Sequence, residues 1–310
     1  MAEKIKIAVL MGGKSPEYDV SLISGGEVIN NLNKKKYTVT PIIINKNGGM
    51  SWINKVRHQD VVFIAMHGPY GEDGTIQGFL ETAGVKYTGS DVLASAVGMD
   101  KIMFRKVMTA EGIPIPKYTV VDGKYSVSGI LKLIKGPWFI KPSAQGSSVG
   151  ASIARNIIEL EKSIGLASKY GNAVLIDEYI TGREFTCSIL GNKKPVALPV
   201  VEIRPRKSNF FDYSSKYTDS GAEEIVPAKI PHVLAGKLQN LALRIYKIVG
   251  CKGFSRVDFI VRKDGSPVVL EINTIPGLTP KSLFPKAASA AGYTYSQLLD
   301  KLINLSLRND

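Results

Sequence analysis

The clearest pattern along the chain is alternation. Between Arg256 and Asn273 (RVDFIVRKDGSPVVLEIN), apolar and polar residues exchange places at period two on either side of Asp264-Gly265. That spacing predicts two antiparallel strands joined by a tight turn. Taking Asp264-Gly265 as a two-residue hairpin loop sets Lys263 against Ser266, Asp258 against Glu271 and Arg256 against Asn273. Side chains alternate faces along a strand, so these last four share one face. Val257, Phe259, Val261, Val268, Leu270 and Ile272 form the other, a core face.

The same reading extends to the rest of the chain. Strands are expected at 5–11, 38–44 and 60–66, with a short fourth at 85–89, and helices at 21–33, 76–83 and 91–111. Alternating strands and helices of this kind predict a parallel sheet. From residue 117 the pattern changes to long antiparallel strands at 117–121, 137–142, 151–154, 173–180, 184–190 and 195–202, ahead of the hairpin. Helices are expected at 156–169, 232–249 and 294–307. The stretch 204–226 has no period and is rich in polar and turn residues, which marks a loop that is either functional or disordered.

Two carboxylates facing each other on a strand pair, with β-carbons roughly 5 Å apart, repel unless a cation sits between them. Asp258 and Glu271, with the amide of Asn273 one step along, suit Mg²⁺, which takes one or two carboxylates and completes its shell with water and phosphate oxygens. A phosphate-bearing substrate follows from that ligand set.

Composition narrows the classes. With 310 residues, 44% hydrophobic and 22% charged, the chain has room for two or three well-buried cores. No apolar run approaches a membrane span, and the first strand follows at once with no signal-peptide layout. Cys187 and Cys251 make neither a disulfide framework nor a zinc spacing, which suits a reducing cytoplasm. The net charge of +13 comes mostly from scattered lysines without interleaved aromatics, which argues against nucleic acid as a partner.

Two motifs mislead. AVLMGGKS (8–15) lacks the glycine that a Walker A loop needs at the position of Ala8, and Pro16 follows. GSSVG (146–150) matches a nucleophile elbow in letters, which keeps a serine hydrolase as a rival reading. However, a strand rather than a helix is expected after it, so the better reading is a Gly/Ser loop closing over phosphates.

Taken in order, GGKSPEYDVS (12–21), HGPYGEDGTIQG (67–78), YTGS and SAVGMDK (87–101), KPSAQGSSVG (141–150), EYITGREFTC (178–187), DYSSKY (212–217), SRVDF (255–259) and LEINTIPGLTPKSLFP (270–285) resemble the D-alanine–D-alanine ligases of the ATP-grasp superfamily. The resemblance covers nearly the whole chain. It implies α/β and α+β architecture in three domains. These are a Rossmann-like α/β domain at 1–100, a central ATP-grasp subdomain at 101–183 with the Gly/Ser lid loop, and a C-terminal subdomain at 184–310 with the metals and an omega-type loop at 204–226.

The implied activity is ATP-dependent ligation of two D-alanines through an acylphosphate, for peptidoglycan synthesis, in a cytoplasmic homodimer. The neighbouring alternative is an acceptor such as D-lactate or D-serine. By resemblance, Asp258, Glu271 and Asn273 hold two Mg²⁺ ions, with Mn²⁺ able to substitute. Arg256 and the N–H of Gly277 form the oxyanion site. Lys101, Lys141, Ser147, Ser148 and Lys216 bind ATP, Glu178 and Ile180 line the adenine pocket, and Glu184 takes the ribose. Glu17, Val20 and His67 hold the first D-alanine, while Ser282 and Leu283 meet the second. Tyr217 links Glu17 to Ser147 across the closed site.

Overall fold

The computed structural model describes residues 3–144, 146, 149–205 and 222–308. Ser147, Ser148, Lys216 and Tyr217 lie outside them.

The first unit alternates strand and helix. β1 (Ile5–Gly12), α1 (Tyr18–Asn31), β2 (Tyr37–Ile44), the single turn α2 (Ile53–Val56), β3 (Val61–Ile64) and α3 (Thr75–Thr82) come in that order. The strands form a parallel sheet of order β2-β1-β3. Ile7 to Leu10 and Val61 to Ile64 are fully buried, because helices or other elements cover both faces. The fourth strand expected at 85–89 reduces to one parallel bridge between Val62 and Tyr87.

The helix expected across 91–111 is two helices, α4 (Val92–Met99) and α5 (Lys101–Ala110). Asp100 separates them. Its backbone is extended, and its carboxylate accepts from the N–H groups of Ile102 and Met103, capping α5. Lys101 therefore opens a helix rather than sitting inside one.

The central unit is an antiparallel sheet of order β4-β7-β5-β6, built from β4 (Tyr118–Asp122), β5 (Trp138–Pro142), β6 (Ser152–Ala154) and β7 (Ala173–Glu178). Helices α6 (Val127–Leu133) and α7 (Ile157–Ala167) bring Ile130, Leu160 and Ile164 to its core. The large sheet runs β11-β10-β8-β12-β13, with β9 also on β8. Its strands are β8 (Arg183–Leu190), β9 (Val196–Ala197), β10 (Val201–Pro205), β11 (Ala222–Ile225), β12 (Phe254–Val261) and β13 (Pro267–Asn273). The strand expected at 195–202 is thus interrupted, and the loop expected at 204–226 has strands at both described ends, with Pro205 paired to Ala222.

α8 (His232–Val249) spans the predicted range and packs Leu238, Ala242 and Ile245 with α4 and α5 residues against this sheet. α9 (Leu283–Ala290) and α10 (Tyr295–Leu307) return to the first unit, and their Phe284, Leu298, Leu302 and Ile303 share one core with β1 and β3. Among the described residues no helix is long and apolar enough to cross a membrane.

The hairpin holds the most instructive departure. Arg256 does face Asn273, and Asp258 faces Glu271, as expected. Nearer the turn, though, Val261 faces Pro267 and Phe259 faces Val269, so the register has shifted by one. The loop holds three residues, not two: Gly265 donates to the carbonyl of Arg262 and takes φ +80°. A β-bulge at Leu270 then restores the count. The two offsets cancel at the carboxylates. At the bulge it is Val269 that is fully buried, while Leu270 is half-buried.

Candidate functional site

The carboxylates sit where β12 and β13 run side by side. Arg256 lies two residues before Asp258 on the same face, and its fork grips both oxygens, Nε donating at 2.7 Å and Nη2 at 2.8 Å. Burial by itself lowers the Arg256 pKa, but Asp258, then Glu271 and Glu72, more than offset this and hold it above the ordinary guanidinium range. This arginine is a permanent cation. A carboxylate has about four lone-pair positions, so the bidentate pair still leaves Asp258 able to accept a metal.

Glu271 lies opposite, with Lys101 Nζ 3.8 Å from its Oε2. Asn273 Oδ1 accepts from the Ile275 N–H at 2.9 Å, which orients the amide. Among the described residues no three His, Cys, Asp or Glu side chains group to hold a metal. Two carboxylates and an amide oxygen nonetheless match the donor set of Mg²⁺, whose remaining positions go to phosphate and water.

A second cluster joins β5, β7 and α5. Lys141 near the end of β5 is buried, with Nζ 3.1 Å from Asp177 Oδ2 on β7. Arg105, on α5 and 1% exposed, reaches the same carboxylate, Nη2 at 3.0 Å from Oδ2 and Nε at 3.4 Å from Oδ1. Burial pulls the Lys141 ammonium below the ordinary lysine range, and Asp177 opposes the fall. Burial would raise the Asp177 pKa, but Lys141 and Arg105 together hold it below the usual carboxylate range. Lys101 joins this cluster through its backbone, donating to the Ser143 carbonyl at 2.9 Å. Lys101, Arg105, Lys141 and Arg256 thus converge on Asp177, Asp258 and Glu271, and cations gathered in this way favour a polyanion.

A third group surrounds Glu17, the residue before α1, which is only 7% exposed. A β-carbon built on Gly68 would come within 2.5 Å of Glu17 Oε2, and one on Gly146 within 2.6 Å. The Glu17 carboxylate therefore lies close against both Gly68 and Gly146. Beside it, His67 shares hydrogen bonds with Ser24 Oγ at 2.9 Å and Glu72 Oε1 at 3.3 Å, all three buried. Val20 is half-buried on α1.

The remaining residues take these places. Gly277 packs on Ser282, whose oxygen shares a hydrogen bond with Thr279 and which precedes Leu283 at the start of α9. Ile180 is buried just after β7. Glu178 turns its side chain away from Asp177, accepting from the Lys117 N–H and from Arg262. Glu184 is half-buried on β8, opposite Ile203 and Ile260. Sequence reasoning missed Arg105 and Asp177, because nothing in either segment marks a partner so distant along the chain.

Two family profiles match the chain. "D-ala D-ala ligase C-terminus" covers residues 107–304, and "D-ala D-ala ligase N-terminus" covers 6–59 and 50–90. A D-alanine–D-alanine ligase of Pelotomaculum thermopropionicum is 41% identical, over 98% of each chain. One from Moorella thermoacetica is 43% identical, over 98% of this chain and 99% of that one. Among solved structures, a D-Ala:D-Ser ligase from Enterococcus faecalis superposes with TM-score 0.88 at 36% identity, covering 98% of this chain and all of that one. The D-alanine–D-alanine ligase of Bacillus anthracis complexed with ATP gives 0.87 at 38% identity, with 98% of both covered.

Proposed function

Because the chain belongs to the D-alanine–D-alanine ligase family, we propose that the three clusters form one active site for that reaction. The fold is ATP-grasp, and the enzyme joins two D-alanines at the expense of ATP for cell-wall synthesis. The observation that carries the site assignment is the facing pair Asp258–Glu271 with Lys101, Lys141 and Arg256 around it.

In this reading, the carboxylate of the first D-alanine attacks the γ-phosphorus of ATP, ADP leaves, and an acylphosphate forms. The amine of the second D-alanine, after losing a proton, attacks the acyl carbon and phosphate leaves. Glu17 pairs with the ammonium of the first D-alanine, with Val20 and His67 alongside. Its buried seat gives the charge a single direction. Arg256 and the N–H of Gly277 stabilise charge developing on the acyl oxygen. Ser282 and Leu283, at the N-terminus of α9, meet the second D-alanine, where the helix end favours its carboxylate.

Lys101 and Lys141 hold phosphates. Glu178 meets adenine through its backbone, since its side chain is engaged elsewhere. Ile180 flanks the ring and Glu184 takes the ribose. Ser147, Ser148, Lys216 and Tyr217 complete the cover. Asp258, Glu271 and Asn273 would hold two Mg²⁺ ions, which neutralise phosphate charge when bound. Support for a cytoplasmic homodimer comes from family resemblance alone, and sedimentation equilibrium tests the assembly.

The deciding experiment is phosphate release from ATP across a panel of D-amino and D-hydroxy acids, with product analysis from equal D-alanine and D-lactate. Dipeptide should predominate and rise from pH 6 to pH 9, as the acceptor amine loses its proton. Predominant ester at pH 7 would refute the acceptor assignment.

A further inference from the structure

The bulge at Leu270 leaves a local problem in hydrogen bonding. β13 is the edge strand of its sheet as well as bulged here, and the Val269 N–H already turns outward to the Pro114 carbonyl, so carbonyls on this open side need donors from outside the ladder. Arg105 supplies them, Nη1 donating to the Leu270 carbonyl at 2.8 Å and to that of Val269 at 3.3 Å. The next residue is Glu271. The other edge of the same guanidinium carries Asp177, and Asp177 carries Lys141. Arg105 also stands one helical turn after Lys101, which approaches Glu271 from the same helix.

A single planar group, 1% exposed, therefore touches the backbone that aims one side chain of the metal face and the carboxylate that seats the phosphate-binding lysine. Lysine could not do this, because its point charge cannot hold a carboxylate on one edge and carbonyls on the other.

We propose that Arg105 is a positioning residue that sets the distance between Glu271 and Lys141, and so between the metal and phosphate halves of the ATP site. The inference rests on the reading of Asp258 and Glu271 as metal ligands. Residues that orient a metal's ligands lose about 10–100-fold in affinity or activity on substitution.

The test uses Arg105→Lys and Asp177→Asn, with Arg105→Met where it folds. Calorimetry measures the binding of the non-hydrolysable analogue adenylyl imidodiphosphate at several Mg²⁺ concentrations, and kinetics give KM for ATP and D-alanine. In Arg105→Lys, analogue affinity should fall about 10–100-fold and the Mg²⁺ needed for half-maximal binding should rise, with KM for D-alanine unchanged. Asp177→Asn loosens Lys141 directly and leaves Arg105 its two carbonyls on β13, so it should weaken the analogue while moving the Mg²⁺ requirement less than Arg105→Lys does. A folded Arg105→Lys enzyme that binds the analogue within about twofold of the parent, and has lost only thermal stability, overturns the inference. Glu271→Gln separates the two readings. If it leaves the Mg²⁺ requirement unmoved, the metal assignment itself is wrong. If it moves that requirement and Arg105→Lys does not, only the role of Arg105 is lost.

Discussion

Gly146→Ala tests the grip on Glu17 with one added methyl group. The new β-carbon would stand 2.6 Å from Glu17 Oε2, whereas ordinary contact begins near 3.4 Å. The loop and the carboxylate must therefore separate by about 0.8 Å to reach normal van der Waals distance. Glu17 has little room to yield, because Gly68 crowds the same oxygen and the residue is buried. A misplacement of about 1 Å in a reacting group costs on the order of 10²-fold. The expected loss in kcat/KM for D-alanine is thus about 10–100-fold, or roughly 1.4–2.7 kcal/mol of transition-state stabilisation.

Stability should not follow. Gly146 is outside the left-handed region, so alanine carries no backbone strain there and trims the entropy of the unfolded chain by about 0.4–1 kcal/mol. Steady-state kinetics with D-alanine varied, alongside thermal melts, measure both effects. Gly68→Ala is the contrasting control, since φ +71° and a 2.4 Å approach to Ser15 Oγ should cost melting temperature as well as activity. A Gly146→Ala enzyme with kcat/KM within about twofold of the parent would refute the reasoning.

Glu271→Gln should abolish turnover with the fold kept, since the charge serves the metal and not the packing, and circular dichroism with a phosphate-release assay checks both halves. In Asp177→Asn the larger of the two charges that raise the Lys141 pKa is gone, leaving Glu271, so the ammonium loses its proton at lower pH than in the parent. Nucleotide binding, titrated between about pH 6 and 10, should then fall away earlier on the alkaline side, and an unmoved alkaline limb would exclude the linkage. Asp100→Ala removes the cap of α5 and should cost about 1 kcal/mol of stability while raising KM for ATP through Lys101, whereas unchanged melting would show the cap to be idle.

Much of this architecture was legible in the chain, for identifiable reasons. α8 and the parallel strands announce themselves through apolar period, and the facing carboxylates follow from counting. That count succeeded through compensation: a three-residue turn moved the register one way and the bulge at Leu270 moved it back. Hydrophobic alternation alone cannot detect such a pair of offsets, since the pattern on either side is preserved. α9 was not among the expected helices: it is short, and its Pro285 sits in the first turn, where a missing N–H costs nothing. The break at Asp100 was readable in principle as a cap, but the continuous apolar stripe on both sides hid it. The Arg105–Asp177 pair is 72 residues apart in sequence, and its burial is decided by three elements meeting. No local pattern encodes that.

The return of α9 and α10 to the first sheet has a consequence for how the chain is made. Leu298, Leu302 and Ile303 complete a core begun by Ile7 and Val61, so the parallel sheet lacks part of its cover until residues near 300 are available. A chain emerging at about 5–20 residues per second keeps that apolar face open for roughly 10–50 seconds after β3 appears. The central sheet around Ile140 and Ile176 draws its whole core from residues 121–176 and has no such wait. During synthesis the middle of the protein is therefore positioned to be finished before its beginning.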